Sequence, residues 1–128
     1  MVSRSWVGLF CGAYRLALPA RVVVSVEDDV TIANGRPFDL THYWGGAERT
    51  EAPYAVWIQH DETLAAVAVD RVTQFSSDAP MMAIPPLGQR RPLVFESGFR
   101  DGQGLYLVVT ALALIELTAE AGYRNLTP

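Results

Sequence analysis

The sequence predicts an all-β fold made of two similar small barrels, one in each half of the chain, followed by a short C-terminal helix. Apolar residues recur mainly at every second position within short segments, a pattern typical of half-buried strands. Turn signals containing glycine or proline separate those segments. Residues 7–26 can also be aligned on residues 56–75 without gaps, at an offset of 49 residues, which indicates an internal repeat.

The first half opens with a predicted hairpin. Residues 6–10 lead through a turn at 11–13 into residues 14–18, where apolar side chains again alternate. Pro19 interrupts strand pairing, as proline does at an edge or a bulge. Residues 22–26 resume as a β-branched strand.

The rest of the first half is less regular. An acidic stretch at 27–29 is followed by Asn34-Gly35, a strong turn signal, and residues 36–40 are short and strand-like. Residues 41–53 have alternating charges and two adjacent glycines, so we expect a boundary or a long loop there.

The second half repeats the hairpin pattern. Residues 54–59 and 64–69 are the predicted strands, with a turn at 60–63 between them. Residues 78–92 contain four prolines and are expected to be largely loop, because proline removes a backbone donor and fixes its own φ angle.

The chain ends with a hairpin and a helix. Residues 93–99 and 105–109 form the predicted hairpin. Residues 111–121 are rich in alanine, and three of their apolar residues are spaced to share one helix face: Leu114, Leu117 and Ala121.

Composition excludes several classes of function. The chain has 128 residues, of which 50% are apolar and 19% charged, so it is expected to fold rather than to remain disordered. It has ten arginines and no lysine against 14 acids, for a net charge of −4. Nucleic acid is therefore not an expected partner, because binding phosphates requires clustered positive charge. Without lysine, Schiff-base and lysine-dependent phosphate chemistry are excluded.

The sequence also bears on the cellular compartment. Cys11 is the sole cysteine and cannot form an internal disulfide, which favours a reducing compartment or indifference to it. The apolar stretch after Trp6 is broken at Gly8 and Gly12, so no signal peptide is expected. The longest apolar run, 105–115, is too short to cross a bilayer. We expect a cytoplasmic protein with no direct membrane insertion.

Several short motifs follow one another in order between about residues 6 and 117. They are Val7-Gly8-Leu9-Phe10, Tyr14-Arg15-Leu16-Ala17-Leu18-Pro19, Arg21-Val22-Val23-Val24-Ser25-Val26, Arg36-Pro37-Phe38-Asp39-Leu40, Ala66-Val67-Ala68-Val69-Asp70-Arg71-Val72 and the hairpin at 99–109. In order and spacing, the chain resembles the CheW-like domain of bacterial chemotaxis, the adaptor that couples receptors to the histidine kinase CheA.

The resemblance implies one domain of two small SH3-like five-stranded β-barrels packed together. Residues 6–50 would form the first sub-barrel, 51–110 the second, and 111–121 the C-terminal helix. It also implies a non-enzymatic adaptor, without cofactor or metal, that couples the cytoplasmic tip of a chemoreceptor and the regulatory domain of a histidine kinase.

One segment departs from the family pattern. The family usually has a longer segment before the strand that resembles residues 36–40, and that segment carries an Asn-Leu-Arg-Gly turn central to partner contacts. Here only residues 27–35 occupy the interval. We therefore expect a divergent, shortened member whose set of partners is reduced or different.

The resemblance also selects candidate partner-binding residues, which lie near the first kink, on the strand after the shortened segment and at the end of a later strand: Val22, Val24, Phe38, Asp39, Asp70 and Arg71. Asp70-Arg71 is open to two interpretations, a structural ion pair or an interface anchor. Tyr43 and Trp44 are open to two as well, binding anchors or the cap of a barrel end.

Alternative functions stay open at this point. A small-ligand-binding or hydrolytic β-barrel would use Asp39, His42 and His60 around a pocket, and it predicts that these three side chains converge. A decoy or homodimerising module of the same fold is a further alternative. The histidines and Cys11 lie in no recognisable metal motif, so no metal site is expected.

Overall fold

Most of the chain lies in two β-sheets. The computed structural model describes residues 3–84, 95, 97–102 and 104–126. Within this part of the chain the elements are β1 (Arg4–Cys11), β2 (Tyr14–Pro19), a 3₁₀ turn (Ala20–Val22), β3 (Val23–Thr31), β4 (Phe38–Asp39), α1 (Leu40–Tyr43), β5 (Glu51–His60), β6 (Thr63–Val69), β7 (Arg71–Ser77), β8 (Met82–Ala83), β9 (Ser97–Asp101), β10 (Gly104–Val108) and α2 (Ala111–Leu126).

The mostly-β class is confirmed. The larger sheet has six strands in the order β7-β1-β2-β10-β9-β8, and the smaller has four in the order β3-β5-β6-β4. Pairing is antiparallel except between β10 and β2 and between β4 and β6, which run parallel. The described strands form two mixed sheets and do not close into a barrel.

Each sheet combines a hairpin from one half of the chain with strands from the other half. In the larger sheet, the β1–β2 hairpin lies between β7 and β10. In the smaller sheet, the β5–β6 hairpin lies between β3 and β4. The two halves therefore exchange strands, and neither sheet divides at residue 50. The assignment of 6–50 and 51–110 to separate sub-barrels stays a prediction.

The internal repeat extends to the register of the two hairpins. Cross-strand partners in β1–β2 recur in β5–β6 at the same offset of 49 residues. The matching pairs are Trp6–Pro19 with Ala55–Ala68, Val7–Leu18 with Val56–Val67, and Cys11–Tyr14 with His60–Thr63. The hairpin turns match as well, since Gly12 and Asp61 both have positive φ angles, of 61° and 53°.

The exchanged strands follow the same register at their start. Leu9 pairs with Val72 between β1 and β7, and Ile58 pairs with Val23 between β5 and β3. The equivalence is lost after an irregularity between Val23 and Ser25, where β3 shifts register against β5.

The main core joins the two hairpins and helix α2. The buried apolar side chains from these three sources form one cluster, whose central members are Leu9, Leu16, Leu18, Val56, Ile58, Val67, Leu114 and Leu117. Because equivalent positions of the repeat, such as Leu9 and Ile58, are both fully buried, the two hairpins contribute in similar ways.

A second apolar cluster lies within the larger sheet. Trp6 and Phe99 are 4% and 1% exposed, and their ring centroids are 5.0 Å apart. Tyr106 and Phe75 belong to the same cluster, with ring centroids 4.9 Å apart. Three strands lie between β7 and β9, yet the ring centroids of Phe75 and Phe99 are only 6.2 Å apart, so the sheet curves around this cluster.

Several predicted elements are confirmed. The hairpins β1–β2, β5–β6 and β9–β10 lie where alternation and turn signals predicted them, and α2 extends beyond residue 121 to Leu126. Asn34 and Gly35 form the predicted turn, with φ angles of 57° and 73°, and a bridge joins Ala33 to Arg36 across it. Of the proline-containing stretch 78–92, residues 85–92 lie outside the described residues, as do 93, 94, 96 and 103 of the last hairpin and its turn.

Three predicted boundaries were wrong. Strand β3 continues through the acidic residues 27–29, because an edge strand can turn such side chains to solvent. The strand expected at 36–40 is only Phe38–Asp39. The stretch expected to be irregular, 41–53, begins inside helix α1, whose first turn Asp39 caps by accepting a hydrogen bond from the Thr41 amide.

No helix in the described residues is both long and apolar enough to span a membrane.

The strand exchange predicts cooperative unfolding. Substituting the fully buried Leu9 by alanine should lower the free energy of unfolding by about 2–5 kcal/mol. Because each sheet needs strands from both halves, urea titrations followed by far-ultraviolet circular dichroism and by tryptophan fluorescence should give coincident transitions. Leu64→Ala, at an exposed position, is the control and should change stability by less than about 0.5 kcal/mol. Two separate transitions would contradict the exchanged topology.

Candidate functional site

A single arginine joins two of the predicted site residues. Arg49 forms a two-pronged ion pair with Asp39, with distances of 2.8 Å from Nε to Oδ2 and 3.0 Å from Nη2 to Oδ1. Its remaining nitrogen, Nη1, donates to Oδ1 of Asp70 at 2.8 Å. The planar guanidinium fork fits this arrangement of two carboxylates, which lysine would not reproduce. We call these three residues the Arg49 link.

The two carboxylates of the Arg49 link hold different elements. Asp39 ends β4, caps α1 and has a side chain only 8% exposed. Asp70 lies between β6 and β7, and its Oδ2 accepts a hydrogen bond of 2.9 Å from the amide of Gly12 in the β1–β2 turn. The Asp70 amide donates in turn to the carbonyl of Phe10, at the end of β1. The link therefore connects both sheets.

The ionisation of the Arg49 link follows from these bonds. Burial on its own raises the pKa of Asp70, but hydrogen bonds from the Gly12 amide and from Arg49 outweigh it, so the pKa lies below its ordinary value. The hydrogen bond to Asp39 is the main reason that the pKa of Arg49 is raised. Asp70 and Arg49 are therefore both charged at neutral pH.

Cys11 lies at the end of β1, close to the Arg49 link, and is fully buried. Burial, followed by the negative charges of Asp70 and Asp39, raises the pKa of its thiol. The thiol is therefore protonated at neutral pH and is not an activated nucleophile. This agrees with the interpretation of Cys11 as a small buried apolar residue.

The aromatic residues beside α1 pack against the main core. The ring of Trp44 lies 4.9 Å from Tyr14, 5.5 Å from Tyr43 and 6.1 Å from Phe95, measured between centroids. Tyr43 and Trp44 are both half-buried against the core cluster. This geometry favours the interpretation that they cap one end of the core.

The residues of the hydrolytic alternative do not converge. Nδ1 of His42 lies 2.9 Å from the carbonyl oxygen of Gly46, and Nε2 of His60 lies 3.6 Å from Asp61 in the β5–β6 turn. Asp39 is bound to Arg49 instead. Across the described residues, no group of three or more His, Cys, Asp or Glu side chains is placed to hold a metal ion.

An open groove separates the edges of the two sheets. It has a volume of about 420 Å³ and lies between β3 of the smaller sheet and β7 of the larger one. Its lining is mainly apolar, from Val7, Ala20, Val23, Val24, Val26 and Val72. Val24 and Val26 are 55% and 45% exposed, although β-branched apolar side chains are usually buried. We call this the β3–β7 groove.

The six predicted partner-binding residues fall into separate places. Val24 lines the groove, whereas Val22 and Phe38 are partly buried and pack against the main core. Asp39 and Asp70 belong to the Arg49 link. Arg71 begins β7, and its guanidinium carbon lies 5.2 Å from the centroid of the Phe10 ring.

Arg49 itself was missed by sequence reasoning. It lies 10 residues after Asp39 and 21 before Asp70, in a stretch with no periodic pattern. Only the alternation of charges around it, as in Glu48-Arg49, set that stretch apart.

Comparison with known proteins adds no family assignment: no protein-family model matches the chain, and a search of curated proteins gave no significant match. The relation to CheW-like domains therefore stays a prediction from the order of the motifs.

The Arg49 link should be important for stability. Arg49→Ala leaves the mostly buried carboxylate of Asp39 without its two-pronged partner, so the free energy of unfolding should fall by about 1–3 kcal/mol. Arg21→Ala, at an exposed arginine in the 3₁₀ turn, is the matched control and should cost less than about 0.5 kcal/mol. Equal losses in the two variants, measured by urea unfolding, would refute this role.

Asp70 should give the fold a defined dependence on acid. Because its pKa is lowered in the folded state, its stabilisation is complete above the ordinary value of 3.8 and is lost as the pH falls through the lower, folded value. The difference in unfolding free energy between the wild type and Asp70→Asn should therefore be constant from about pH 7 to about pH 5 and shrink below about pH 4. A difference that stays constant down to about pH 2 would show that this carboxylate is not preferentially ionised in the folded state.

Proposed function

We propose that the protein is a non-enzymatic cytoplasmic adaptor in a bacterial chemotaxis-like signalling pathway. It would bind the regulatory domain of a histidine kinase, the cytoplasmic tip of a chemoreceptor, or both. The observation that carries this proposal is the β3–β7 groove, which exposes apolar β-branched side chains between two strand edges. Exposed apolar surface beside unpaired strand edges is typical of protein–protein contact sites.

Two features of the architecture support the part of this proposal that concerns the fold, a pair of SH3-like barrels. The larger sheet curves around its own aromatic cluster, as a barrel wall does around its interior. The two hairpins repeat the same register, as expected for two related units. In this proposal, the sub-barrels share strands instead of each containing only its own half of the chain.

The shortened segment bears on which surface binds. β3 continues to Thr31, and the tight turn at Asn34-Gly35 leads into β4 at Phe38. No long loop is left between these strands to present a binding turn. We therefore place the partner contact on the groove, and Asp39 and Asp70 support it by fixing the strands through Arg49.

A charged residue in the groove should weaken partner binding. Val24→Asp should weaken binding to the kinase regulatory domain or the receptor tip by about tenfold or more, because it places an unpaired carboxylate in an apolar contact. Leu64→Asp is the matched control, since Leu64 is 53% exposed, similar to Val24, but does not line the groove. Isothermal titration calorimetry with purified partners encoded near this chain is the measurement.

Two outcomes would overturn the proposal. No binding of the wild type to any kinase regulatory domain or receptor tip would remove the pathway. Equal weakening by the two variants would remove the groove as the contact. Light scattering over a range of concentrations should give a monomer when no partner is present, whereas a dimer through the groove would favour the homodimerising module.

A further inference from the structure

The two strand edges that border the groove differ in chemistry. β3 shifts register after Val23, has a left-handed residue at Asp29 with a φ of 51°, and carries three successive acids at 27–29. Bulges and charges of this kind prevent another strand from pairing with an edge. β7 has neither protection: its seven residues pair with β1 in unbroken register, and its sole charged residue is Arg71.

Among the described strands, none pairs with the outer edge of β7. β7 is the outermost strand of the larger sheet, and within the described residues its ladder is made with β1 alone. Arg71 and Gln74 are exposed. An unprotected edge strand of this length is a template on which an extended segment can pair, with main-chain hydrogen bonds supplying much of the affinity.

Arg71 determines the charge of the segment that fits. It is paired directly with Phe10 across β1 and β7, and Arg15 is paired with Phe10 across β1 and β2, so the three side chains form a row on one face of the sheet. The guanidinium carbons lie 5.2 Å and 5.5 Å from the ring centroid, respectively. No ion pair of Arg71 with another described residue is present. As the outer member of the row, Arg71 would face the next strand at about 4.8 Å spacing.

We propose that β7 accepts an extended segment of a partner protein as an added strand, with a carboxylate opposite Arg71 and apolar side chains on the other face entering the groove. Successive residues of a strand point to opposite faces. Val72, Thr73 and Gln74 all border the groove, but Val72 and Gln74 are paired with the main-core residues Leu9 and Val7, whereas Arg71 lies on the opposite face with Phe10. A segment that alternates acidic and apolar residues can place an acid opposite Arg71 and apolar side chains on the other face. The added-strand proposal rests on the proposed function in one respect: it takes the β3–β7 groove to be a contact site.

A second copy of this chain fits the edge less well. Antiparallel pairing of β7 with its own copy about Gln74 places Ser77 opposite Arg71, so the arginine would gain no carboxylate. Pairing with β3 of a copy meets the register shift and the left-handed residue of that strand. The charge on Arg71 thus favours an acidic segment from another protein.

The test uses a fluorescein-labelled nine-residue peptide that alternates valine and glutamate, and fluorescence anisotropy with the full chain. The peptide should bind saturably, and a version with lysine in place of glutamate should bind at least about tenfold more weakly. Arg71→Glu should weaken binding of the glutamate peptide by about tenfold and strengthen binding of the lysine peptide. Methylation of alternate peptide amides on the pairing edge should abolish binding, because it removes main-chain donors.

Arg15→Glu is the matched control, because Arg15 contacts the same ring but lies on the interior strand β2, which β7 and β1 separate from the added strand. It should change peptide affinity by less than about threefold. Equal effects of the two substitutions, or undiminished binding of the methylated peptide, would overturn the proposal. So would a wild-type chain that binds a kinase domain or receptor tip but not the peptide. A chain that binds the peptide but neither the kinase domain nor the receptor tip would instead overturn the pathway. The added-strand proposal would then still hold.

Discussion

Pairing of each central strand with a strand from the other half is the constraint on which this fold depends. β1 has its own hairpin partner on one side and β7 on the other, while β5 has β6 and β3. Because each sheet contains strands from both halves, the two hairpins pack into one core. The same exchange leaves β3 and β7 as the outer edges, and they border the groove with residues at equivalent repeat positions, Val23 with Val72 and Val24 with Thr73. The exchange of strands between the two halves thus produces both the shared core and the groove.

The Arg49 link lies at the shortest connection between the two sheets in the described residues, which joins β6 to β7. A single residue, Asp70, separates β6 in the smaller sheet from β7 in the larger one, and both its amide and its carboxylate bind the end of the β1–β2 hairpin. The equivalent crossing in the first half, from β2 to β3, has Pro19 and a full 3₁₀ turn to absorb the change of direction. The connection between β6 and β7 has only one residue in which to change direction. Hydrogen bonds and ion pairs of Asp70 and Arg49 hold its conformation.

Local chemistry was predictable from the sequence, whereas strand partners were not. Alternation and turn residues located the hairpins, and the offset of 49 residues identified the repeat, because both signals lie within short stretches of chain. The sequence of β7 does not indicate that it pairs with β1, because the edge of a strand can pair with any suitable neighbouring strand. Phe38-Asp39-Leu40 alternates like a strand, yet Asp39 acts as a helix cap once Leu40 turns inward. The ion pair of Arg49 with Asp39 and Asp70 spans sequence distances that no local pattern encodes.

The two strand edges of the groove, β3 and β7, occupy equivalent positions in the repeat but differ in chemistry. This difference bears on which edge a partner strand can pair with. Equivalent strands with equivalent registers would offer a partner two equal sites, and pairing would then be unspecific. Here the acids at 27–29 and the irregular backbone of β3 disfavour pairing there, whereas β7 presents a regular edge with one cation. The acids also repel an anionic segment from β3, while Arg71 attracts it to β7, so the same charge pattern rejects one edge and selects the other. Because the two edges differ in register and charge, the two sides of the groove are not equivalent for strand pairing.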